Sequence, residues 1–73
     1  MVAETVRRDM FEVTRDEQRV GLFYDLDEAR GMAARVVRAF PLSLIRVWEA
    51  MVEFSGETIA SVDRGGMAWA INW

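Results

Sequence analysis

The chain has 73 residues and a formal net charge of −3, and it contains neither cysteine nor histidine. A chain of this length forms one domain, and the missing residue types exclude disulfides and leave no ligands for structural zinc. The hydrophobic fraction of 52% favours a folded core, while no apolar run reaches the roughly 18 residues of a membrane span. We therefore expect a cytoplasmic protein with no cofactor, no metal and no membrane contact.

All nine basic residues are arginine. Arginine suits bidentate contacts to carboxylate or phosphate, but codon bias in a GC-rich genome explains the same usage. The net negative charge argues against general DNA or RNA binding, because nucleic acids require a basic surface. We expect a protein partner and no direct binding of nucleic acid.

The first third of the chain predicts a β-hairpin after a short arm. Residues 1–8 show no clear periodicity and are predicted to form a flexible N-terminal arm. Apolar and polar residues alternate around Phe11 and again around Leu22, which predicts two short strands. The polar link over residues 15–18 lacks the glycine or asparagine that would identify its turn type.

A single helix is predicted over residues 26–40. Asp25 is placed to cap its first turn, and Glu28 follows at the spacing of a capping box. The apolar residues of this segment recur at intervals of three and four, which is one face of a helix. Pro41 ends it, because the residue before a proline is driven out of the helical region.

The chain after the helix favours strands again. Residues 44–48 are β-branched and aromatic, with Ile45 and Val47 on one predicted face and Arg46 and Trp48 on the other. The strand is predicted to continue to residue 54, with a bulge considered at residues 49–50. Ser55 and Gly56 then form a turn signal before a last strand over residues 58–62.

These elements predict an α+β fold. The expected module has the order β-β-α-β-β and is formed by residues 9–63. It has an open, three- to four-stranded, largely antiparallel sheet with one helix on one face. The predicted core is apolar and is drawn from every element except the last strand: Phe11, Val13, Val20, Leu22, Leu26, Val36, Val37, Phe40, Ile45 and Val47.

Residues 64–73 are predicted to form an apolar aromatic tail. Its large side chains alternate at positions 67, 69, 71 and 73. Three interpretations remain open for this segment. It completes its own core as an extra strand, it anchors a partner by adding to the edge of that partner's sheet, or it is a disordered end.

The residue inventory argues against catalysis. A hydrolytic triad needs histidine or cysteine, and a serine–lysine dyad needs a lysine that the chain lacks. Asp25, Asp27 and Glu28 do not follow the spacing of a calcium loop and fit helix capping. Gly65 and Gly66 are not followed by the lysine of a phosphate-binding loop. We predict a protein that is not an enzyme, with no catalytic, cofactor-binding or metal-binding residue.

Two segments are candidates for contacts with a partner. If the leading hairpin binds, the candidates are Arg15, Arg19 and Phe23. If the tail binds, they are Trp69, Ile71 and Trp73. Tryptophan and arginine are enriched among the residues that dominate interface energies.

The layout resembles the small proteins with which bacteriophages take over a host. The features that carry the resemblance are the hairpin through residues 11–24, the helix over residues 26–40 and the strand over residues 44–48. They are similar to those of the RNA-polymerase-binding transcription regulators of Xanthomonas phages. The resemblance implies binding to the N-terminal part of the host polymerase β′ subunit, inhibition of transcription initiation, and antitermination as a further effect.

Two other functions remain as alternatives. An anti-CRISPR or anti-restriction protein would block a nucleic-acid-binding complex of the host by imitating phosphates with acidic side chains. A small oligomerising structural module would exchange the alternating tail between protomers. The expected state of the free chain is a monomer.

Overall fold

The fold was examined in a computed structural model that describes residues 4–71, except for the side chains of Met67 and Ala70. Four strands and one helix follow one another as β1 (Thr5–Arg15), β2 (Gln18–Phe23), α1 (Leu26–Ala39), β3 (Ile45–Ser55) and β4 (Thr58–Ala70). The strands form one antiparallel sheet in the spatial order β2-β1-β3-β4. The predicted β-β-α-β-β architecture is confirmed. Within residues 4–71, no helix is long and apolar enough to cross a membrane.

The main core lies between α1 and one face of the sheet. Strand residues Val13, Ile45 and Val47 are completely buried there. From the helix, Ala29 and Ala33 meet them with no exposed surface, and their small side chains bring the helix close to the sheet. Around this centre pack half-buried apolar side chains from β1, β2, α1, β4 and the residue after β4: Phe11, Phe23, Leu26, Met32, Val37, Trp69 and Ile71.

The helix begins at the predicted residue with the predicted N-cap, and it ends at Ala39, one residue before the predicted end. The Asp25 side chain accepts a hydrogen bond from the backbone N–H of Asp27 at 3.2 Å, which satisfies one donor of the first turn. Phe40 is the C-cap, and Pro41 follows it. Acidic residues in the first turn and Arg38 in the last complement the helix dipole.

The core prediction was wrong for Val20 and Phe40, whereas Leu22 packs in a second core cluster and not in the main one. A bulge in the hairpin pairs Val13 with Gly21 and Thr14 with Arg19, so Val20 is the extra residue and is 41% exposed. Leu22 is directly opposite Glu12, and its side chain packs on the other face of the sheet. Phe40 lies beyond the last helical turn and is 42% exposed.

The sheet is longer at both ends than the periodicity predicts. β1 begins at Thr5, so the prediction of a flexible arm is wrong for residues 5–8, which pair with β3 from Ser55 to Val52. Residues 1–3 lie outside the described residues. β4 continues to Ala70, so residues 64–70 extend the last strand and do not form a separate tail.

A bulge interrupts the pairing of β3 with β4, as considered from the sequence. Trp48 pairs with Ala68 and Ala50 pairs with Arg64, so three residues of β4 face Glu49 alone. The bulge lets β4 carry residues 68–70 back onto the register of β3. Ile71 then donates its backbone N–H to the Ile45 carbonyl at 3.0 Å, which fixes the strand end against the core.

The two hairpin turns use left-handed backbone conformations. Asp16 and Glu17 have φ angles of 49° and 71°, and Arg15 pairs directly with Gln18, so the link has two turn residues and not four. These are the φ signs of a type I′ turn, which matches the twist of the strands. Gly56 has a φ of 62° in the β3–β4 turn, where glycine adopts this conformation without steric cost.

Candidate binding surfaces

One face of the sheet is not covered by the helix. We call it the open face and define it by the strand pairs whose side chains point away from α1. Directly opposed residues share a face, so the pairs Glu12–Trp48, Thr14–Arg46 and Ala50–Arg64 all belong to it. Arg19 joins them through its pairing with Thr14. The open face is therefore built from all four strands.

The open face has a second, smaller apolar cluster. Met10 and Ala50 are each 5% exposed and Val52 is completely buried, although no helix lies over them. Half-buried side chains from β2, β3 and β4 surround this centre: Leu22, Phe54 and Val62. The twisted strands thus shield the middle of the face with their own side chains.

Beside this cluster, Glu12 is a completely buried carboxylate with two arginine partners. The Nε of Arg19 donates to Oε2 at 2.8 Å, and the Nε of Arg64 donates to Oε1. Burial alone would raise the pKa of Glu12, but the hydrogen bonds from Arg64 and Arg19 outweigh it and lower the pKa. The hydrogen bond to Glu12 in turn raises the pKa of Arg64.

Trp48 lies next to the Glu12 pair and is held by a hydrogen bond. Its indole N–H donates to Thr14 Oγ1 at 2.9 Å, and Thr14 is buried. The guanidinium carbons of Arg64 and Arg46 lie 5.2 and 5.7 Å from the centre of the indole ring, within the range of a cation–π contact. Two cations therefore share one half-buried aromatic ring.

Charge is distributed unevenly between the two faces. The strand residues of the open face include four arginines, at positions 8, 19, 46 and 64, and one glutamate, so these strand residues carry a net charge of +3. The strand residues of the helix side include two arginines and four acids, at positions 9, 49, 53 and 63. Since the whole chain carries −3, the positive charge is concentrated on the open face.

A second candidate surface lies at the turn between β1 and β2. We call it the hairpin end and define it by Arg15, Asp16, Phe40 and Leu42. Leu42 is 100% exposed, and Phe40 is partly exposed beside it. Ordinary loops place polar residues in such positions, so two exposed apolar side chains around a proline are a notable feature of this loop.

The loop that carries Leu42 is tied to the hairpin turn. Asp16 donates its backbone N–H to the Leu44 carbonyl at 2.9 Å, and its Oδ1 accepts the Leu44 N–H at 2.9 Å. The hydrogen bond from the Leu44 N–H to the carboxylate lowers the pKa of Asp16, and a hydrogen bond from the Ser43 side chain lowers it further. Arg15 stacks 3.5 Å from the centre of the Phe40 ring and donates from Nε to Ser43 Oγ at 3.2 Å.

The three residues predicted from the leading hairpin do not form one surface. Arg15 belongs to the hairpin end, whereas Arg19 is bound to Glu12 on the open face. Phe23 packs against the main core. Its ring crosses Gly21 so closely that a Cβ there would lie 2.9 Å from Phe23 Cε2.

Two of the three predicted tail residues, Trp69 and Ile71, lie along the core. Trp69 pairs with Val47 on the helix side, and both Trp69 and Ile71 pack half-buried against the main core. Of the three interpretations of the tail, the strand is the one that the structure shows for residues 67–70. Trp73 lies outside the described residues.

Four residues of these two surfaces were not among the predicted binding residues: Arg46, Trp48, Arg64 and Leu42. The alternation over residues 44–48 already placed Arg46 and Trp48 on one face, and this was the available signal. Arg64 could not be added to that face, because an irregularity between Glu53 and Phe54, close to the turn, shifts the register of β4 and pairs Arg64 with Ala50. The net charge of the chain did not indicate a basic face, because it sums the charges on both sides of the sheet.

Comparison with known proteins identifies no relative. No family model matches the chain, and neither a curated protein nor a solved structure is significantly similar to it. Within residues 4–71, no group of three or more acidic side chains is arranged to hold a metal ion.

Proposed function

We propose that this chain is a non-enzymatic phage-type protein that binds bacterial RNA polymerase at the N-terminal part of the β′ subunit. Binding inhibits transcription initiation, and antitermination is a further effect of the same contact. The resemblance in layout supports RNA polymerase as the partner. The choice of a binding function is supported by the surface of the chain and by its lack of histidine, cysteine and lysine.

The observation that carries the binding function is the fully exposed Leu42 on a fixed loop. Two hydrogen bonds between Asp16 and Leu44 hold the end of this loop, and a further bond joins the Ser43 N–H to the Phe40 carbonyl at 3.1 Å. A loop fixed before binding loses little conformational entropy in the complex. Leu42 can therefore enter an apolar pocket of a partner at low cost.

Neighbouring residues have the chemistry of an interface centre. Phe40 provides a partly exposed aromatic ring, and Arg15 covers it with a guanidinium group. Aromatic residues and arginine are enriched in the buried centres of protein interfaces. The hairpin end thus combines one aliphatic, one aromatic and one cationic group on a small area.

The test is binding of the purified chain to bacterial RNA polymerase holoenzyme, measured with the intact complex. We expect Leu42→Ser to weaken binding by about tenfold or more, because burying a leucine side chain contributes roughly 1.5–3 kcal/mol. Met51→Ser is the matched control, since Met51 is 40% exposed on β3 and does not belong to the hairpin end. Its affinity should equal that of the wild type.

The two parts of the proposal fail separately. If the wild-type chain does not bind the holoenzyme, polymerase is the wrong partner. If it binds but Leu42→Ser binds equally well, the hairpin end is the wrong surface. Promoter-dependent RNA synthesis, measured with the same proteins, should fall with the wild-type chain and recover with Leu42→Ser.

A further inference from the structure

We propose that the open face is a binding site for single-stranded nucleic acid. This assigns a second ligand to a different surface from the hairpin end and does not depend on the identity of the protein partner. Summed over the whole chain, the net charge of −3 predicts no binding of nucleic acid. The structure separates the charges: the strand residues of the open face carry +3, and Glu17 in the β1–β2 turn acts on Arg64 from beside them.

The arginines lie across the strands. Arg19 on β2 and Arg46 on β3 both pair with Thr14 of β1, so they occupy one row of the sheet. Neighbouring strands are about 4.8 Å apart, which puts the backbones of these two residues roughly 10 Å apart. Arg64 on β4 continues the basic surface through the Trp48 ring. A polyanion that crosses the strands would meet all three guanidinium groups.

Glu12 fixes two of these arginines without using all of their donors. A guanidinium group has five N–H donors, and Arg19 and Arg64 each contact Glu12 through Nε. The side chains of Arg19 and Arg64 remain 42% and 35% exposed. Glu12 itself is buried and compensated, so it presents no carboxylate surface that would repel a phosphate group.

The aromatic ring distinguishes a nucleic acid from other anions. Bases stack on aromatic side chains and on the planes of arginine, whereas the carboxylates of an acidic peptide do not stack. Trp48 is half-buried, and its hydrogen bond to Thr14 fixes the ring between the basic groups. Arginine also binds phosphate with a paired set of donors. Together these features favour a single strand over an acidic protein segment.

Arg8 and Arg46 are the residues to change first. Among the described residues, neither forms an ion pair, so their replacement leaves the Glu12 cluster intact. The double variant Arg8→Gln/Arg46→Gln removes two positive charges from the open face. The matched control is Arg7→Gln/Arg35→Gln, which removes two charges elsewhere. Arg7 is the chain neighbour of Arg8 on the opposite face, and Arg35 is exposed on the helix.

The measurement is fluorescence anisotropy of labelled 20-nucleotide oligo-dT and oligo-U, titrated with each protein at several salt concentrations. Each phosphate contact with a single strand contributes a slope of about −0.7 in log K against log salt. We expect the open-face double variant to bind about tenfold or more weakly, with a slope shallower by about 1.4 if both contacts are lost. The control variant should bind like the wild type.

Three results would overturn the inference. The first is no binding of either oligonucleotide at low salt by wild-type protein with a native circular dichroism spectrum. The second is equal weakening in both double variants, which would indicate non-specific attraction. The third is a labelled poly-glutamate peptide that binds as tightly as the oligonucleotides and depends on the same residues, which would make the open face a site for acidic proteins. Tighter binding of oligo-dT or of oligo-U identifies the kind of strand.

Discussion

Glu12 shows how one buried charge organises a whole face of this sheet. Its carboxylate lies under the surface and joins Arg19 of β2 to Arg64 of β4 across the two central strands. Burying a carboxylate costs free energy that its partners must offset. The lowered pKa of Glu12 indicates that its two hydrogen bonds from arginine exceed the cost of burial. The same carboxylate thus stabilises the fold and orients the arginines of the open face.

We predict that Glu12→Gln lowers the free energy of unfolding by roughly 1–2 kcal/mol near neutral pH, because two charge-assisted hydrogen bonds are weakened while Arg19 and Arg64 stay partly exposed to water. A carboxyl group whose pKa is lower in the folded state stabilises the fold above its unfolded pKa of about 4.3. This contribution is lost as the pH falls through the lower, folded-state pKa. The difference between wild type and variant should therefore shrink in acid, as measured by urea unfolding at a series of pH values.

The matched control for that measurement is Glu57→Gln, which changes an exposed glutamate in the β3–β4 turn. Its stability should follow that of the wild type at each pH. A Glu12→Gln variant that is as stable as the wild type at neutral pH would contradict the assignment of Glu12 as a stabilising bridge.

At the scale of elements, the β1–β2 turn and the loop between α1 and β3 act as one unit. Asp16 serves as a turn residue with φ of 49° and as the partner of Leu44. Aspartate tolerates the left-handed region better than most residues, and its short side chain bonds to nearby backbone groups. The turn thereby fixes the loop that exposes Leu42, although the two segments are far apart in the chain.

We predict that Asp16→Ala releases this loop without unfolding the sheet. The Leu44 amide would lose its acceptor, Asp16 Oδ1, and should exchange with solvent deuterium faster than in the wild type. The Ile71 amide is the internal control, because it donates to the Ile45 carbonyl and does not involve Asp16. Equal protection of Leu44 in the two proteins would show that the side chain of Asp16 does not hold the loop.

The last strand is a second element whose role can be measured. Trp69 packs half-buried on the main core next to Val47. Removing a fully buried large aromatic side chain costs about 3–5 kcal/mol. For this half-buried ring we predict that Trp69→Ala lowers the free energy of unfolding by about 2 kcal/mol. A variant of unchanged stability that fails to bind a partner would instead make Trp69 an anchor for that partner.

At the scale of the whole molecule, the sequence predicted what repeats along the chain. Alternation over residues 44–48 and the apolar spacing of the helix gave the order of elements and the residues that face α1. Periodicity could not predict the pairing of residues 5–8, because both faces of that segment are largely polar. Its strand conformation depends on backbone pairing with β3. Periodicity also could not predict the hairpin bulge that turns Val20 outward, since a bulge is a property of two paired strands.

The candidate sites were predicted less well for a related reason. In the sequence, Leu42 cannot be distinguished from an ordinary loop residue. Its exposure depends on contacts between its loop and the β1–β2 turn, which is far away in the chain. Arg64 acquires its role from a carboxylate 52 positions away. Such sites arise from tertiary contacts, so residue type and local periodicity do not identify them.

The molecule is 47 Å long, whereas a 14-residue helix spans roughly 21 Å, so α1 covers only part of the sheet. β2 is likewise short and pairs with residues 11–15 of β1, which leaves the outer edge of residues 5–10 without a strand beside it in the described chain. Such an edge is a template for another strand. Two copies that paired there in antiparallel fashion about Arg8 would place that residue opposite itself. Like charges in direct opposition destabilise strand pairing, so self-pairing of this edge in that register is disfavoured.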